Sequence, residues 1–201
     1  RAFLKIQDGC NNFCKYCRVP LARGRSRSLD KDEIIGQVKE ISAAGYKELV
    51  LTGVNISSYN SGNYGLVSLV ENILDETENI RIRLSSLEPD SIDSEYKRLA
   101  ENERICPHFH IPVQSGSDQI LLSMGRKYLS EKIYDAAEIL PSGGRNPLIS
   151  ADIITGLPGE TDKDFDDTLE LVKKAGFAYL HVFPYSKREG TAAFFMKNHV
   201  P

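Results

Sequence analysis

The sequence has no long apolar run: none reaches the ~18 residues that a membrane-spanning helix requires. It has no low-complexity segment, and its start, Arg-Ala-Phe-Leu-Lys-Ile, lacks the charged-then-apolar pattern of a signal peptide. Hydrophobic residues make up 41% and charged residues 26%, near the averages of globular proteins, which argues against disorder. We therefore expect a folded, cytoplasmic protein with no membrane partner.

Two common groups of catalytic motif are also missing. Neither a P-loop nor G-x-G-x-x-G is present, so Gly156-Leu-Pro-Gly159 is expected to be a strand-to-helix turn and not a phosphate-binding loop. No G-x-S-x-G elbow surrounds Ser115 or Ser117, which leaves no basis for serine-hydrolase chemistry.

Cysteines are few but clustered. Of the four in the chain, three lie in Cys10-Asn-Asn-Phe-Cys14-Lys-Tyr-Cys17. In a reducing compartment such a cluster indicates metal or redox chemistry and not disulfides. Thiolates hold iron–sulfur clusters, and a [4Fe–4S] cluster takes four of them, so three ligands leave one iron open to a substrate or cosubstrate.

Zinc is the alternative for this loop, with Cys106 or a histidine as the fourth ligand. Zinc sites are usually built from paired C-x2-C knuckles, and this loop has x3 followed by x2 with no second knuckle. A disulfide is less favoured still, because three clustered cysteines cannot all pair. Cys106 itself is expected to be a small buried residue. His108 and His110 are expected to be core or rim residues and not ligands.

Positive charge is concentrated beside the cysteines. The net charge is −3, which by itself argues against a nucleic-acid binder. Residues 1–28 nevertheless carry seven basic side chains against the single acid Asp8: Arg1, Lys5, Lys15, Arg18, Arg23, Arg25 and Arg27. Arg23, Arg25 and Arg27 are therefore candidate phosphate contacts for RNA, with a solvated loop as the alternative.

Six strand-like segments alternate with helical ones. The periodicity predicts strands at 3–7, 47–52, 80–84, 108–112, 149–155 and 178–183 and helices at 30–45, 66–74, 93–101, 117–124, 130–140 and 161–176. Pro112 is predicted to end the fourth strand, and Phe165, Leu169 and Val172 to form the inward face of the last helix. A full eightfold barrel takes ~250 residues. The chain is therefore predicted to be an α/β protein with an open, partial (βα)6 TIM-type barrel, one domain over residues 1–201.

Polar and glycine-rich residues follow each predicted strand. In parallel α/β folds the carboxyl ends of the strands meet at one edge, so these loops should share one ligand-binding mouth. The segments are 10–17, 52–55, 85–88, 114–117, 156–160 and 184–186.

Cys10-x3-Cys14-x2-Cys17, with the aromatic Tyr16 before the last cysteine, resembles the signature of the radical S-adenosylmethionine (SAM) superfamily. The chain is closer still to the radical SAM methylthiotransferases, and within them to the branch that modifies N6-threonylcarbamoyladenosine in tRNA. The stretches that carry this resemblance cover essentially the whole chain: 22–28, Leu51-Thr-Gly-Val-Asn-Ile56, 83–89, His110-Ile-Pro-Val-Gln-Ser-Gly-Ser-Asp118, 152–161 and 181–191.

The resemblance implies two cofactors and a set of residues that bind them. Cys10, Cys14 and Cys17 would ligate a [4Fe–4S] cluster whose fourth iron is chelated by SAM. The residues implied around SAM are Thr52 and Gly53 near the methionine amine, Ser85, Glu88 and Ser115 near the ribose or methionine, and Asp152, Gly156, Tyr16 and Phe183 near the adenine.

The implied reaction is 2-methylthiolation of the target adenine through a 5′-deoxyadenosyl radical, with tRNA and an electron donor such as a flavodoxin-type protein as partners. A relative that acts on isopentenyladenosine or on a ribosomal protein side chain is the alternative, and a non-catalytic metal-binding module that docks RNA is the alternative of another class.

Family members also carry a preceding domain with a second cluster and a following RNA-binding domain. Neither is in this sequence, so we expect a fragment of a longer protein. Gly125 is a minor departure from the family pattern.

Overall fold

The computed structural model describes residues 1–200 and contains six parallel strands with helices between them. The strands are β1 (Ala2–Lys5), β2 (Glu48–Thr52), β3 (Arg81–Leu84), β4 (His108–Gln114), β5 (Leu148–Thr155) and β6 (Tyr179–Pro184). The helices are α1 (Val19–Arg23), α2 (Lys31–Ala43), α3 (Leu66–Glu76), α4 (Ser94–Glu101), α5 (Asp118–Met124), α6 (Ser130–Ile139) and α7 (Asp162–Ala175). No helix within residues 1–200 combines the length and apolar character needed to cross a membrane.

The strands lie side by side in chain order. β2 pairs with β1 and β3, and β5 pairs with β4 and β6, all in parallel. Single parallel bridges, Ile82 with Ile105 and Ser86 with His110, join the two halves. Between residues 1 and 200, β1 and β6 are not paired with each other, so the barrel is open along that seam. The predicted six-stranded α/β architecture is confirmed.

Helix packing follows the apolar periodicity in the first half of the chain. Asp30 caps the start of α2. Its carboxylate accepts the backbone N–H groups of Asp32 and Glu33, which have no partner within the helix. α3 buries a stripe at helical spacing that consists of Leu66, Val67, Leu69, Val70, Ile73 and Leu74. These side chains belong to the main hydrophobic core.

The prediction that Pro112 ends the fourth strand is wrong. β4 continues to Gln114, and the register with β5 shifts between Ile111 and Gln114. Proline has no N–H to donate to a ladder, so it is tolerated in a strand where a bulge removes the need for one. Gln114 has φ 69°, which completes the local irregularity.

The predicted inward face of α7 is also largely wrong. Phe165 and Leu169 are 41% and 40% exposed, and only Val172 packs partly against the core. The buried face is instead Asp164, Thr168 and Leu171. The helix is rotated from the position that its apolar residues alone would select.

Hydrogen bonds to the loop after β4 explain this rotation. Ser117 Oγ donates to Asp164 Oδ1 at 2.6 Å, and the Gly116 N–H donates to Thr168 Oγ1 at 2.9 Å. Asp164 also completes a capping box with Thr161 at the start of the helix. A buried polar group is costly unless it is bonded, so these partners fix the face.

Gly116→Ala should destabilise the fold by about 1–3 kcal/mol through overpacking. A Cβ at this position would lie 2.6 Å from the Thr168 Cα and 2.8 Å from the Asp167 carbonyl oxygen, both backbone atoms of α7. The matched control is Gly36→Ala, exposed within α2 with no atom within 4 Å of the new Cβ. It should stabilise by about 0.5–1 kcal/mol. Urea unfolding measures both, and equal changes would mean that the close approach is not a constraint.

Candidate functional site

The cysteine loop follows β1 along the chain and is held in place by one buried glutamine, Gln7. Gln7 Nε2 donates to the Gly9 carbonyl at 2.7 Å and to Ser26 Oγ at 2.9 Å, and its Oε1 accepts the Asn55 N–H at 2.8 Å. One side chain thereby connects the cysteine loop (10–17), the basic segment (23–27) and the loop after β2. Sequence reasoning missed Gln7, because it appears there only as the polar end of an alternating strand.

Close backbone contact joins the cysteine loop to the basic segment. Gly9 has φ 72°, and a Cβ there would lie 2.1 Å from the Arg25 carbonyl oxygen, so only glycine fits. The Cys10 N–H donates to the Gly24 carbonyl at 3.1 Å. The two segments therefore form one unit at the mouth of the barrel.

The three arginines of the basic segment are exposed but not free of contacts. Arg23 and Arg27 lie 3.6 and 3.7 Å from the Asp8 carboxylate. The Arg25 guanidinium lies over the Phe13 ring, 4.6 Å from its centroid. Such contacts orient the side chains while leaving their charge accessible.

Each cysteine sulfur in the loop has an N–H donor. The Asn12 amide nitrogen lies 3.4 Å from Cys10 Sγ, and the Val19 amide nitrogen lies 3.5 Å from Cys17 Sγ. Cys14 is buried, and its sulfur lies 3.4 Å from Nη1 of Arg126. Burial raises the pKa of the Cys17 thiol, and the bond from the Val19 amide opposes that rise. Donors to sulfur suit thiolates that ligate iron.

The spacing of the sulfurs does not fit a single zinc ion. Zinc holds its thiolates at about 2.3 Å, which places them about 4 Å apart. Cys10, Cys14 and Cys17 do not all come within 4.8 Å of one another. Cys106 bonds through its N–H to Ile82 before β4 begins, at the opposite end of the strands. None of the four cysteines forms a disulfide, and the spread of the three loop sulfurs suits a multinuclear group better than a single zinc ion.

Within residues 1–200, some buried polar atoms in the loops that follow the strands have no hydrogen-bond partner, and Tyr185 Oη after β6 is one of them. Asn55 Oδ1 and Ser85 Oγ follow β2 and β3 and are unpaired. Leaving such an atom unsatisfied costs about 1–3 kcal/mol. A ligand rich in amine, carboxylate and hydroxyl groups would recover that cost, as SAM would.

Neighbouring candidates for SAM contact shape the same region. Thr52 Oγ1 donates to the Leu4 carbonyl at 3.3 Å. Gly53 allows close packing, since a Cβ would lie 3.0 Å from the Gln7 carbonyl oxygen. Ser115 is fully buried, with its hydroxyl 3.2 Å from that of Thr168, so its side chain does not reach the mouth surface.

The predicted adenine-side residues come from three elements. Tyr16 packs against a small apolar cluster that includes Met124 and Leu157. Gly156 has φ 77° at the turn after β5. Phe183, near the end of β6, is 51% exposed. The structure brings Tyr16 and the turn after β5 together and leaves the Phe183 ring accessible.

The fourth predicted adenine contact, Asp152, lies inside the barrel. It borders a cavity of about 760 Å³ that also reaches Ser85 and Phe183. His110 Nε2 lies 3.0 Å from Asp152 Oδ2, and its Nδ1 lies 2.9 Å from Ser150 Oγ. Ligand atoms of His110, Asp152 and His181 lie within 4.8 Å of one another. Both His110 nitrogens are thus already engaged by the protein, one by Asp152 and one by Ser150.

Arg126 is the main functional candidate that sequence reasoning missed. Its side chain is 5% exposed and pairs with the Glu88 carboxylate, which also accepts from Asn12 Nδ2 at 3.2 Å. Arg126 Nε donates to the Tyr128 hydroxyl at 2.9 Å. Burial raises the pKa of Glu88, and Arg126 opposes that rise. A lone arginine after a helix carries no periodic signal, so only the departure at Gly125 marked this stretch.

Comparisons with known proteins agree with this geometry. The chain matches the Radical SAM superfamily over residues 4–172. Along its whole length it is 49% identical to a threonylcarbamoyladenosine tRNA methylthiotransferase of Treponema pallidum, of which it covers 42%. It is 44% identical to a tRNA-2-methylthio-N(6)-dimethylallyladenosine synthase of Clostridium novyi, of which it covers 45%. The chain thus spans about half the length of the curated relatives it matches.

Solved structures share the fold at low identity. The radical SAM methyltransferase TsrM from Kitasatospora setae superposes with a TM-score of 0.77 at 15% identity, over 91% of this chain and 36% of that one. Methylornithine synthase superposes with a TM-score of 0.65, also at 15% identity, over 98% of this chain and 56% of that one. The open barrel and the sequence match lead to one conclusion: the chain belongs to the radical SAM superfamily.

Proposed function

We propose that this chain is the radical-generating core of a tRNA methylthiotransferase. Cys10, Cys14 and Cys17 would hold a [4Fe–4S] cluster and the mouth beside them would bind SAM. One observation carries this proposal: three sulfurs, each with an N–H donor, and unpaired buried polar atoms both lie in the loops that follow the strands of an open six-stranded barrel. That arrangement supplies both a ligand set for iron and partners for a polar cosubstrate.

The proposed role of the protein's own residues is to bind, orient and shield the cluster and SAM. The cluster that Cys10, Cys14 and Cys17 would hold would supply the electron that splits SAM into methionine and a 5′-deoxyadenosyl radical. Ser85 and Asn55 offer unpaired atoms to SAM, and Thr52 and Gly53 shape the adjoining loop. Asp152, Gly156, Tyr16 and Phe183 would border the adenine. Glu88 and Ser115 would act mainly by holding the loops, because both side chains are already bonded within the protein.

The proposed substrate is N6-threonylcarbamoyladenosine in tRNA, methylthiolated at C2 of the adenine. Support comes from three similar proteins whose names give that substrate, one each from Treponema pallidum, Chlamydia pneumoniae and Bacillus subtilis. This chain is 40–49% identical to them. The dimethylallyladenosine synthase of Clostridium novyi, at 44%, supports an isopentenyl-type substrate as the second candidate.

The full reaction would require the longer protein and its partners. We propose tRNA as the macromolecular substrate, a flavodoxin-type electron donor and a cytoplasmic location. Arg23, Arg25 and Arg27 would contact the phosphate backbone beside the mouth, because the Gly9 contact holds their segment against the cysteine loop. Phosphate contacts of this kind add affinity without selecting sequence.

Nucleoside analysis of cells tests the activity and separates the two substrates. Bulk tRNA from cells with and without the full-length gene would be digested and examined by mass spectrometry. Loss of the 2-methylthio form of threonylcarbamoyladenosine alone supports the proposal. Loss of the dimethylallyl counterpart alone identifies the second candidate. An unchanged profile of both nucleosides contradicts a tRNA methylthiotransferase.

Cys10→Ala, Cys14→Ala and Cys17→Ala should each abolish SAM cleavage and lower bound iron, because each removes a cluster ligand. Cys106→Ala is the matched control and should keep both, since that thiol lies at the other end of the strands. Iron content and 5′-deoxyadenosine would be measured after anaerobic reconstitution of the full-length protein. Full activity in any of the three loop variants, or tightly bound zinc in a colourless wild type, would refute the assignment.

Replacing Arg23, Arg25 and Arg27 together by Gln should flatten the dependence of log tRNA affinity on log salt by about two to three units, at about 0.7–0.9 per phosphate contact. The measurement is tRNA binding by the full-length protein across a salt series.

The matched control removes three exposed cations from the outer helices: Lys132, Lys163 and Lys174, each changed to Gln. These lysines pair with acids on their own helices, so their loss should leave the slope unchanged. Parallel lines for the arginine variant and the wild type would show that the basic segment is only solvated.

A further inference from the structure

The sulfur of Cys14 has a different donor from those of Cys10 and Cys17. The latter two face backbone amides, whereas Cys14 Sγ lies 3.4 Å from the guanidinium of Arg126. Cys14 is buried, and the side chain of Arg126 is only 5% exposed. The guanidinium end of the Arg126–Glu88 ion pair therefore lies against one predicted cluster ligand, with little solvent to screen it.

Local backbone structure places Arg126 there. α5 ends at Met124, and Gly125 with φ 74° reverses the chain, while the Arg126 N–H bonds back to the Leu121 carbonyl at 2.9 Å. On its other side the Met124 carbonyl accepts the Lys15 N–H at 2.8 Å. The end of α5 and the cysteine loop are thus fixed to each other, which holds the guanidinium at the sulfur.

The nitrogens of Arg126 are divided among different partners. Nη2 pairs with Glu88, Nε bonds to the Tyr128 hydroxyl, and Nη1 is the nitrogen nearest the sulfur. Tyr128 in turn donates to the Pro112 carbonyl at 2.7 Å. The planar fork of arginine can serve these partners together, and a lysine ammonium on a flexible stem cannot.

We propose that Arg126 is a positioning residue that raises the reduction potential of the cluster held by Cys14. Reduction adds one electron, and hence one negative charge, to the cluster. A fixed positive charge and an N–H donor to a ligating sulfur both favour that added charge, and hydrogen bonds to sulfur and net charge are known determinants of cluster potentials. This inference rests on the proposed function, since it requires the cluster to bind.

The test compares Arg126→Gln and Arg126→Lys with the wild type in the full-length protein, reconstituted anaerobically. Iron content is measured first, and the midpoint potential then by a redox titration monitored by electron paramagnetic resonance. Arg126→Gln should lower the equilibrium constant for reduction about tenfold, which is ~59 mV for one electron. Arg126→Lys keeps the charge but loses the fork, so its shift should be smaller and in the same direction.

Arg98→Gln is the matched control. Arg98 pairs with Glu71 on the surface, at 2.8 Å from its Nε, so the variant loses an arginine–glutamate pair away from the cysteine loop. Its midpoint should equal that of the wild type. A role limited to folding would lower stability or iron content in the Arg126 variants without moving the midpoint of the molecules that keep full iron.

The outcomes separate this inference from the function on which it rests. A wild type that binds no cluster overturns both. A wild type with a cluster and an Arg126→Gln variant of equal iron content and equal midpoint overturns the inference and leaves the proposed function standing. If Arg126→Gln loses its iron, Arg126→Lys decides: a lowered midpoint supports the inference, and an unchanged one overturns it.

Discussion

The mouth of this barrel depends on satisfying one buried guanidinium. An uncompensated buried charge is strongly destabilising, so Arg126 requires partners from whatever segments surround it. It finds them in the cysteine loop at Cys14, after β3 at Glu88, in β4 at the Pro112 carbonyl and in its own turn at Tyr128. The loops that would hold the cofactors are therefore joined by charge and hydrogen bonds, while the body of the barrel is held by its apolar core.

Much of the fold could be predicted from periodicity because the first half of the chain buries apolar residues at regular spacing. The stripe of α3 is a clear case, since Leu69, Val70 and Ile73 are all buried. Apolar periodicity predicts the wrong buried face for α7, where Asp164 and Thr168 are buried and Phe165 is exposed. Apolar periodicity cannot detect a face that is chosen by polar partners elsewhere in the chain.

The same limit applies to the candidate site. Residues that lie close together in the sequence can be predicted to act together, whereas residues that contact distant segments cannot. The three cysteines are close in sequence, so a shared function can be predicted for them without coordinates. Arg126 and Gln7 act on segments far from them in the sequence, and a single polar residue gives no pattern that predicts its distant partners. The concentration of basic charge near the cysteines was visible from counting. The contact of Gly9 with the Arg25 backbone, which makes the two segments one unit, was not.

The backbone of the cysteine loop has a further consequence for how the protein is made. The Lys15 N–H bonds to the Met124 carbonyl, and the Lys15 carbonyl accepts the Ala193 N–H, both at 2.8 Å. A loop near the start of the chain is thus anchored by residues that the ribosome adds more than 100 positions and more than 170 positions later. At about 5–20 residues per second, synthesis takes on the order of ten seconds to reach the second anchor. During that interval the cysteines lack part of their native support, so the geometry for loading iron is complete only after the last of these residues has emerged and docked.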